Sequence, residues 1–342
     1  MYAVTRNNGG ISDQLKVNSP VGITQQKITP EQTVRNYFIK RLGHSVFIVA
    51  GLMGLLFFAI NILGDPVQLL LDEEASQEAV DALRKKFGFD RPLYVRFGDF
   101  YWDLIRGDFG KSIRHRIDAR EMIWSRLPNT AILAVIAWGI GAVGIPLGML
   151  AARRPRGIID RIVNILSFAV ISIPEFWLAL MLILIISVQM DLLPTSGFSG
   201  LGPEGWKFMV LPAMALSPRV VGRNAQITRA TMIEEIGRQY VATARAKGLA
   251  ENKVLYAHVF KNAAISIVTL MGDELAGFMN GSTIVEVIFG WPGIGLLLIQ
   301  GINARDLPVV TAAVFVIALM VMVVNLAVDL IYSWLDPRIS YS

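Results

Sequence analysis

GHSVFIVAGLMGLLFFAINIL, Gly43 to Leu63, runs for 21 residues without a formal charge. As a helix rising 1.5 Å per residue it reaches about 31 Å, the thickness of a bilayer's hydrocarbon core. In that solvent only a helix or a closed barrel satisfies its own backbone, so the stretch predicts a membrane-spanning helix. A cleaved signal peptide has a shorter apolar core nearer its start and a small-residue cleavage site, so this segment reads as retained. Thr130 to Ala152 and Val309 to Val328 are equally plain. Three further segments are long enough but charged: Ile162 to Ser187 carries Glu175, Phe208 to Thr228 carries Arg219 and Arg223, and Ala263 to Val287 carries Asp273, Glu274 and Glu286. Composition agrees with a polytopic chain, since only 17% of residues are charged, against about 25% in soluble domains.

Basic residues orient the segments, because short cytoplasmic loops retain Lys and Arg while short exported ones are poor in them. Arg35, Lys40 and Arg41 precede the first segment; Arg153, Arg154, Arg156 and Arg161 lie between the second and third; Arg229, Arg238, Arg245, Lys247, Lys253 and Lys261 lie between the fourth and fifth. The opposite short loops offer only Lys207 and Arg305. The fourth segment must therefore cross despite its arginines. The expected fold is an all-α membrane protein with six transmembrane helices and both termini cytoplasmic. A flexible polar tail covers 1–42, the first span 43–63, a helical extracytoplasmic domain 64–129 and the core of spans two to six 130–335. Within the core lies an inner loop over 229–262, and a short tail covers 336–342.

Several chemistries are excluded by the residues. No cysteine occurs, so disulfides, thiolate metal sites and cysteine nucleophiles are absent. GxxxxGK[ST] is missing, which leaves no nucleotide-hydrolysing loop in this chain. Gly139, Gly141 and Gly144 match GxGxxG but lie inside an uncharged span, where small residues let helices approach. His44, His115 and His258 share no metal-binding spacing, and no serine, histidine and acid constellation sits at one depth for an intramembrane hydrolase. Asn280-Gly281-Ser282 matches a glycosylation sequon but falls within the fifth span. The net charge of +5 belongs to inner loops and not to a nucleic-acid surface.

Segment midpoints place Glu175, Arg219, Asp273 and Glu274 near mid-membrane, with Arg223 a turn further in. Facing lipid, five such charges would cost on the order of 12–17 kcal/mol, so they pair with one another or line a wet cavity. A fixed ion-pair network and a charged translocation path, in a fourth span interrupted by Pro212 and Pro218, are both open readings. A proton-coupled secondary transporter would also place acids and arginines there. In the inner loop, Ala242, Ala244 and Ala246 give a small-faced helix that Gly248 can end, and a second patch, Glu251 to Phe260, folds back before the fifth span. From the residues alone, an ordinary solvated helix and one that inserts into a partner's groove are equally supported.

YVATARAKGL followed by HVFKNAA resembles the cytoplasmic EAA loop of ATP-binding-cassette (ABC) importer permeases, in the version of the dipeptide, oligopeptide and nickel branch. Its core falls on Ala242, Thr243, Ala244 and Gly248, with the first glutamate replaced. GDP at Gly64 to Pro66, FGFDRPLYVRFGDFYWDLIRGDFGKSI, IVEVIFGWPGIG with RDLPVV, and NLAVDLIYSWLDPRI agree with the same branch. The resemblance implies a bacterial inner-membrane importer, most often for peptides. Its partners would be a second homologous permease, two ATPase subunits that bind the ATP and Mg, and an extracytoplasmic solute-binding protein. It implies an ATPase-coupling role for Tyr240, Ala242, Thr243, Ala244, Arg245, Ala246 and Gly248, and a turn facing the binding protein at Trp291, Pro292 and Gly293. It implies no catalytic residue, cofactor or metal in this chain. The charges at Glu175, Arg219, Arg223, Asp273 and Glu274 depart from the branch's mostly neutral pattern.

Overall fold

The computed structural model describes residues 30–62, 90–200, 202 and 204–335, with a few isolated positions between 77 and 88. The tail over 1–29, the Gly64 to Pro66 motif, most of the following acidic helical patch and the end at 336–342 lie outside the described residues. Among those described, helix is the regular element, relieved by one isolated bridge between Lys111 and Asp118.

The first helix, α1 (Pro30–Ile62), begins well before the apolar run, so the polar stretch 30–42 expected in a flexible tail is helical. Proline suits a helix start, where its missing N–H goes unused. α2 (Leu93–Arg106) belongs by sequence to the expected extracytoplasmic region, yet it lies antiparallel along the C-terminal half of α1. Arg96 donates to Asn61, Phe97 and Phe100 pack on Phe57, and the Tyr101 hydroxyl donates to the Ala50 carbonyl at 2.6 Å. Gly54 admits that ring, since a Cβ there would come within 2.8 Å of the Tyr101 hydroxyl.

α3 (Ala119–Gly141) is N-capped by Asp118, whose side chain accepts the Arg120 N–H. It continues through α4 (Gly144–Arg153) as a rod of 35 residues. The third segment, read as one span, is instead broken: α5 (Ile158–Ser172) and α6 (Glu175–Leu182) meet at 94°. Pro174 forces the cause, because it pushes Ile173 into an extended conformation (ψ 123°) and ends the helix before it. α6 runs on through a π-helical stretch, Ile183–Gln189. By contrast α7 (Trp206–Ile236) is one continuous helix of 31 residues through Pro212 and Pro218, so the expected interruption does not occur.

α8 (Gln239–Ala246) follows, and Gly248 (φ +75°) supplies the left-handed residue beyond its end. The second inner patch does not fold back as a separate helix. A turn at Glu251–Lys253 and a π-helical stretch at Val254–Val259 feed directly into α9 (Phe260–Ile288). α10 (Ile294–Asn303) is short and apolar, and α11 (Leu307–Leu335) closes the bundle. Among the described residues four helices are long and apolar enough to cross a membrane, or five if the bent pair is one span.

α7 is the hub. Leu211, Leu216 and Val220 join Leu133 and Ala137 of α3, Ala179 of α6 and Phe278 of α9 in the central core. Glycines bring backbones together there: a Cβ on Gly144 would lie 2.1 Å from the Val221 carbonyl oxygen, and one on Gly148 2.4 Å from that of Ala225. Gly222 of α7 does the same toward Ser167 of α5. Without a hydrophobic drive between helices in lipid, such approach is what makes dispersion contacts dense enough to hold a bundle.

Candidate functional site

Arg219 and Arg223, four apart on α7, share one face. Glu175 and Glu274 meet them from two other helices. Arg219 Nε donates to Glu175 Oε1 at 2.7 Å, and its Nη1 lies 3.8 Å from Glu274 Oε2. Arg223 Nη1 approaches Glu274 Oε1 at 2.5 Å. Glu274 is only 3% exposed and bridges the two arginines, giving two positive and two negative charges in one network. Glu175 is the first residue of α6, where a carboxylate is favoured by the unpaired N–H groups of the helix start. Asp273, grouped with these residues by depth along the sequence, is exposed and makes no ion pair with them. Consecutive residues on a helix point about 100° apart, so α9 can turn only one of the two acids toward α7.

The guanidinium groups keep open surface, at 33% exposed for the Arg219 side chain and 40% for that of Arg223. Each has N–H donors beyond those that the glutamates engage. The break between α5 and α6 lies beside Glu175, so charged groups and uncoiled backbone coincide.

The inner loop is built on the second core cluster. Val241 and Ala244 of α8 are buried against Met232, Val254, Leu255 and Val259. Ala242, Thr243, Arg245, Ala246 and Gly248 are exposed. The three alanines therefore do not form one face: Ala242 and Ala246 point out, whereas Ala244 belongs to the chain's own interior. Arg245 is tied to Glu251 by two hydrogen bonds, of 3.1 and 2.6 Å, across the Gly248 turn. Tyr240 donates to Glu235 at 2.6 Å; burial, and then that hydrogen bond, push its phenol above the usual range.

At the other end, Trp291 has no exposed surface, so its side chain is closed to any partner in this conformation. Its indole N–H donates to the Asn129 carbonyl at 3.1 Å, and the Asn129 amide donates to the Pro292 carbonyl at 2.9 Å. The residue that organises this turn is Glu286, which sequence reasoning counted as a charge but did not single out. Its buried carboxylate accepts from Thr130 Oγ1 (2.8 Å), Ser282 Oγ (3.1 Å) and the Leu296 N–H (3.0 Å). A Cβ on Gly293 would lie 2.4 Å from that carboxylate. The GWPGIG pattern was the available signal, for its glycines leave the room this acid fills. Two other buried acids were also missed: Asp306, which takes the Ser112 hydroxyl, and Asp160, which takes Arg229. Among the described residues no group of three His, Asp or Glu side chains has metal-binding geometry.

Among the described residues the chain is a helical bundle with several helices of membrane length and ion pairs between its helices, an architecture that fits a membrane permease. The chain belongs to the family of binding-protein-dependent transport system inner membrane components, which matches residues 144–341. It is 36% identical to the oligopeptide transport system permease protein AppB of Bacillus subtilis (strain 168), over 89% of this chain and 99% of that one. It is 34% identical to the glutathione transport system permease protein GsiC of Escherichia coli (strain K12), over 90% and 99% respectively. A chain of the MetNI methionine ABC transporter, solved in inward-facing conformations, shares the fold at 19% identity and a TM-score of 0.50, across 63% of this chain and 96% of its own. This protein is accordingly an ABC importer permease and not an enzyme.

Proposed function

We propose that this permease carries peptides across a bacterial inner membrane as one of two related permease subunits, driven by two ATPase subunits and supplied by an extracytoplasmic binding protein. AppB and GsiC are named for oligopeptide and glutathione transport, which favours peptides over nickel or saccharides. In this reading α7 is the fourth of six spans and both termini are cytoplasmic. The outward face of α8 (Ala242, Thr243, Ala246) docks an ATPase subunit, and closure of that subunit rocks the helices between inward- and outward-facing states.

The observation that carries the proposal is α8 itself: a short helix whose inner side is fixed to the chain's own core while its small residues are left uncovered. A proton-coupled transporter has no use for that surface. The Arg219, Arg223, Glu175 and Glu274 network then lines the solute path at the break in the third span. Its partly open arginines suit a polar or ionic solute, in keeping with the placement of transporter sites at broken helices near mid-membrane.

Uptake of a radiolabelled tripeptide into cells expressing the complete transporter tests the reading. Uptake should require the ATPase subunits and survive a protonophore while ATP is maintained. Uptake that persists without those subunits and collapses with the proton gradient would establish the secondary-transporter alternative.

A further inference from the structure

The break at Ile173 and Pro174 removes the hydrogen bonds through which a continuous helix would pass motion from its inner half to its outer half. Each half is tied separately to α7. Glu175 binds the outer half, α6, to Arg219; Asp160 binds the inner half, α5, to Arg229. The second tie lies outside the solute path and the turn already described.

Asp160 is 3% exposed and its carboxylate is fully engaged. One oxygen accepts Arg229 Nε and the Asn164 amide (2.7 Å); the other accepts Arg229 Nη2 (2.9 Å) and the Arg156 N–H (2.7 Å). Arg156 takes a left-handed conformation, φ 65°, as it delivers that N–H, an arrangement that a non-glycine residue holds only where its surroundings enforce it. Arg229 presents the two-donor fork that fixes direction as well as distance.

Arg219 and Arg229 are ten residues apart on one rod, about 15 Å along its axis. Between them Gly222 of α7 packs closely on Ser167 of α5, a contact without the direction that an ion pair fixes. Two ties at that separation, one to each half, oppose both swinging and sliding. α7 also leads directly, through Gly237 and Arg238, into α8.

We infer that Asp160 and Arg229 are positioning residues that make the inner half of the broken span follow α7 when the ATPase-facing loop is displaced. The inference rests on the importer reading and adds to it the part through which loop movement reaches the break beside the charge network.

Because the chain has no cysteine, spin labels can be placed at Ile165 on α5 and Ala230 on α7, both exposed. Their separation is measured in the assembled transporter in nanodiscs, without nucleotide and after trapping with ATP and vanadate. In the otherwise unaltered chain one narrow distance should persist in both states. Asp160→Asn should broaden and shift it on trapping while ATP hydrolysis continues, and Asp160→Glu should restore the narrow distance. Arg229→Lys keeps the charge but loses the fork, and should give the same broadening if Asp160→Asn does not assemble. A distance that already changes in the unaltered chain, or that stays narrow in both states in the variants, would overturn the inference. An assembly that hydrolyses no ATP would instead overturn the importer reading beneath it.

Discussion

Glu274 is hemmed in by Arg219 and Arg223, and its burial makes it the member of the network least able to lose a partner. Removing one charge from a buried pair leaves the other without compensation, which costs about 3–5 kcal/mol when both are enclosed; with arginines a third or more exposed, about 2 kcal/mol is the reasonable scale. Glu274→Gln or Arg223→Gln alone should therefore lower the thermal stability of the purified transporter, and the double change should recover part of the loss. Asp273→Asn breaks no ion pair with these arginines and should not lower the stability. Equal effects at Asp273 and Glu274 would contradict this placement. At the Trp291–Gly293 turn, Gly293→Ala drives a methyl group into the Glu286 carboxylate and should cost about 1–3 kcal/mol through overpacking. Adding Glu286→Ala removes the obstructing atoms, so the Gly293→Ala penalty measured by thermal unfolding should shrink in that background.

At the level of elements, α8 separates positions that look alike in sequence. Ala242, Ala244 and Ala246 alternate with other residues, but a period of two describes a strand face; on a helix, positions four apart share a side and those two apart do not. Ala246→Trp and Ala242→Trp should leave the permease inserted and folded while loosening copurification of the ATPase subunits and abolishing transport. Ala244→Trp should act differently, disrupting the packing of α8 on Met232 and Val254, and should register as raised proteolysis of the loop. If all three variants behave identically, the division of faces is wrong. Tyr240 adds a test with a defined sign. Its phenol is raised in the folded state, so the stability it contributes is complete below the unfolded value, about 10, and is lost as pH climbs through the folded value. Tyr240→Phe should thus cost about 1 kcal/mol at neutral pH through the lost hydrogen bond, and the gap to the parent should narrow only in strong alkali.

For the whole molecule the deciding question is whether α7, charged as it is, crosses the membrane. Between Ser196 and Lys247 lie α7, its flanking loops and the eight-residue α8, and of these only α7 is long enough to cross, so single cysteines at the two positions in the cysteine-free chain report on it directly. In intact cells an impermeant maleimide should label Ser196→Cys and spare Lys247→Cys; labelling of both from one side would remove the fourth span. The sequence by itself determined the class of this protein: uncharged runs of membrane length demand helices that satisfy their own backbones, and the alanine and glycine pattern of the inner loop marked the family. It also raised the expectation that the charges of the apolar segments pair, and Glu175, Arg219, Arg223 and Glu274 do so whereas Asp273 does not join them. What it left open was decided by geometry between elements. Which acid meets which arginine depends on helix rotation, which turns Glu274 inward and Asp273 out. Whether a proline ends a helix depends on its surroundings: Pro174 breaks the third span, whereas Pro212 and Pro218 lie within a helix enclosed by its neighbours. Glu286, Asp160 and Asp306 escaped notice because the worth of a buried carboxylate lies in the donors that surround it, and most of those arrive from distant parts of the chain and become neighbours only after folding.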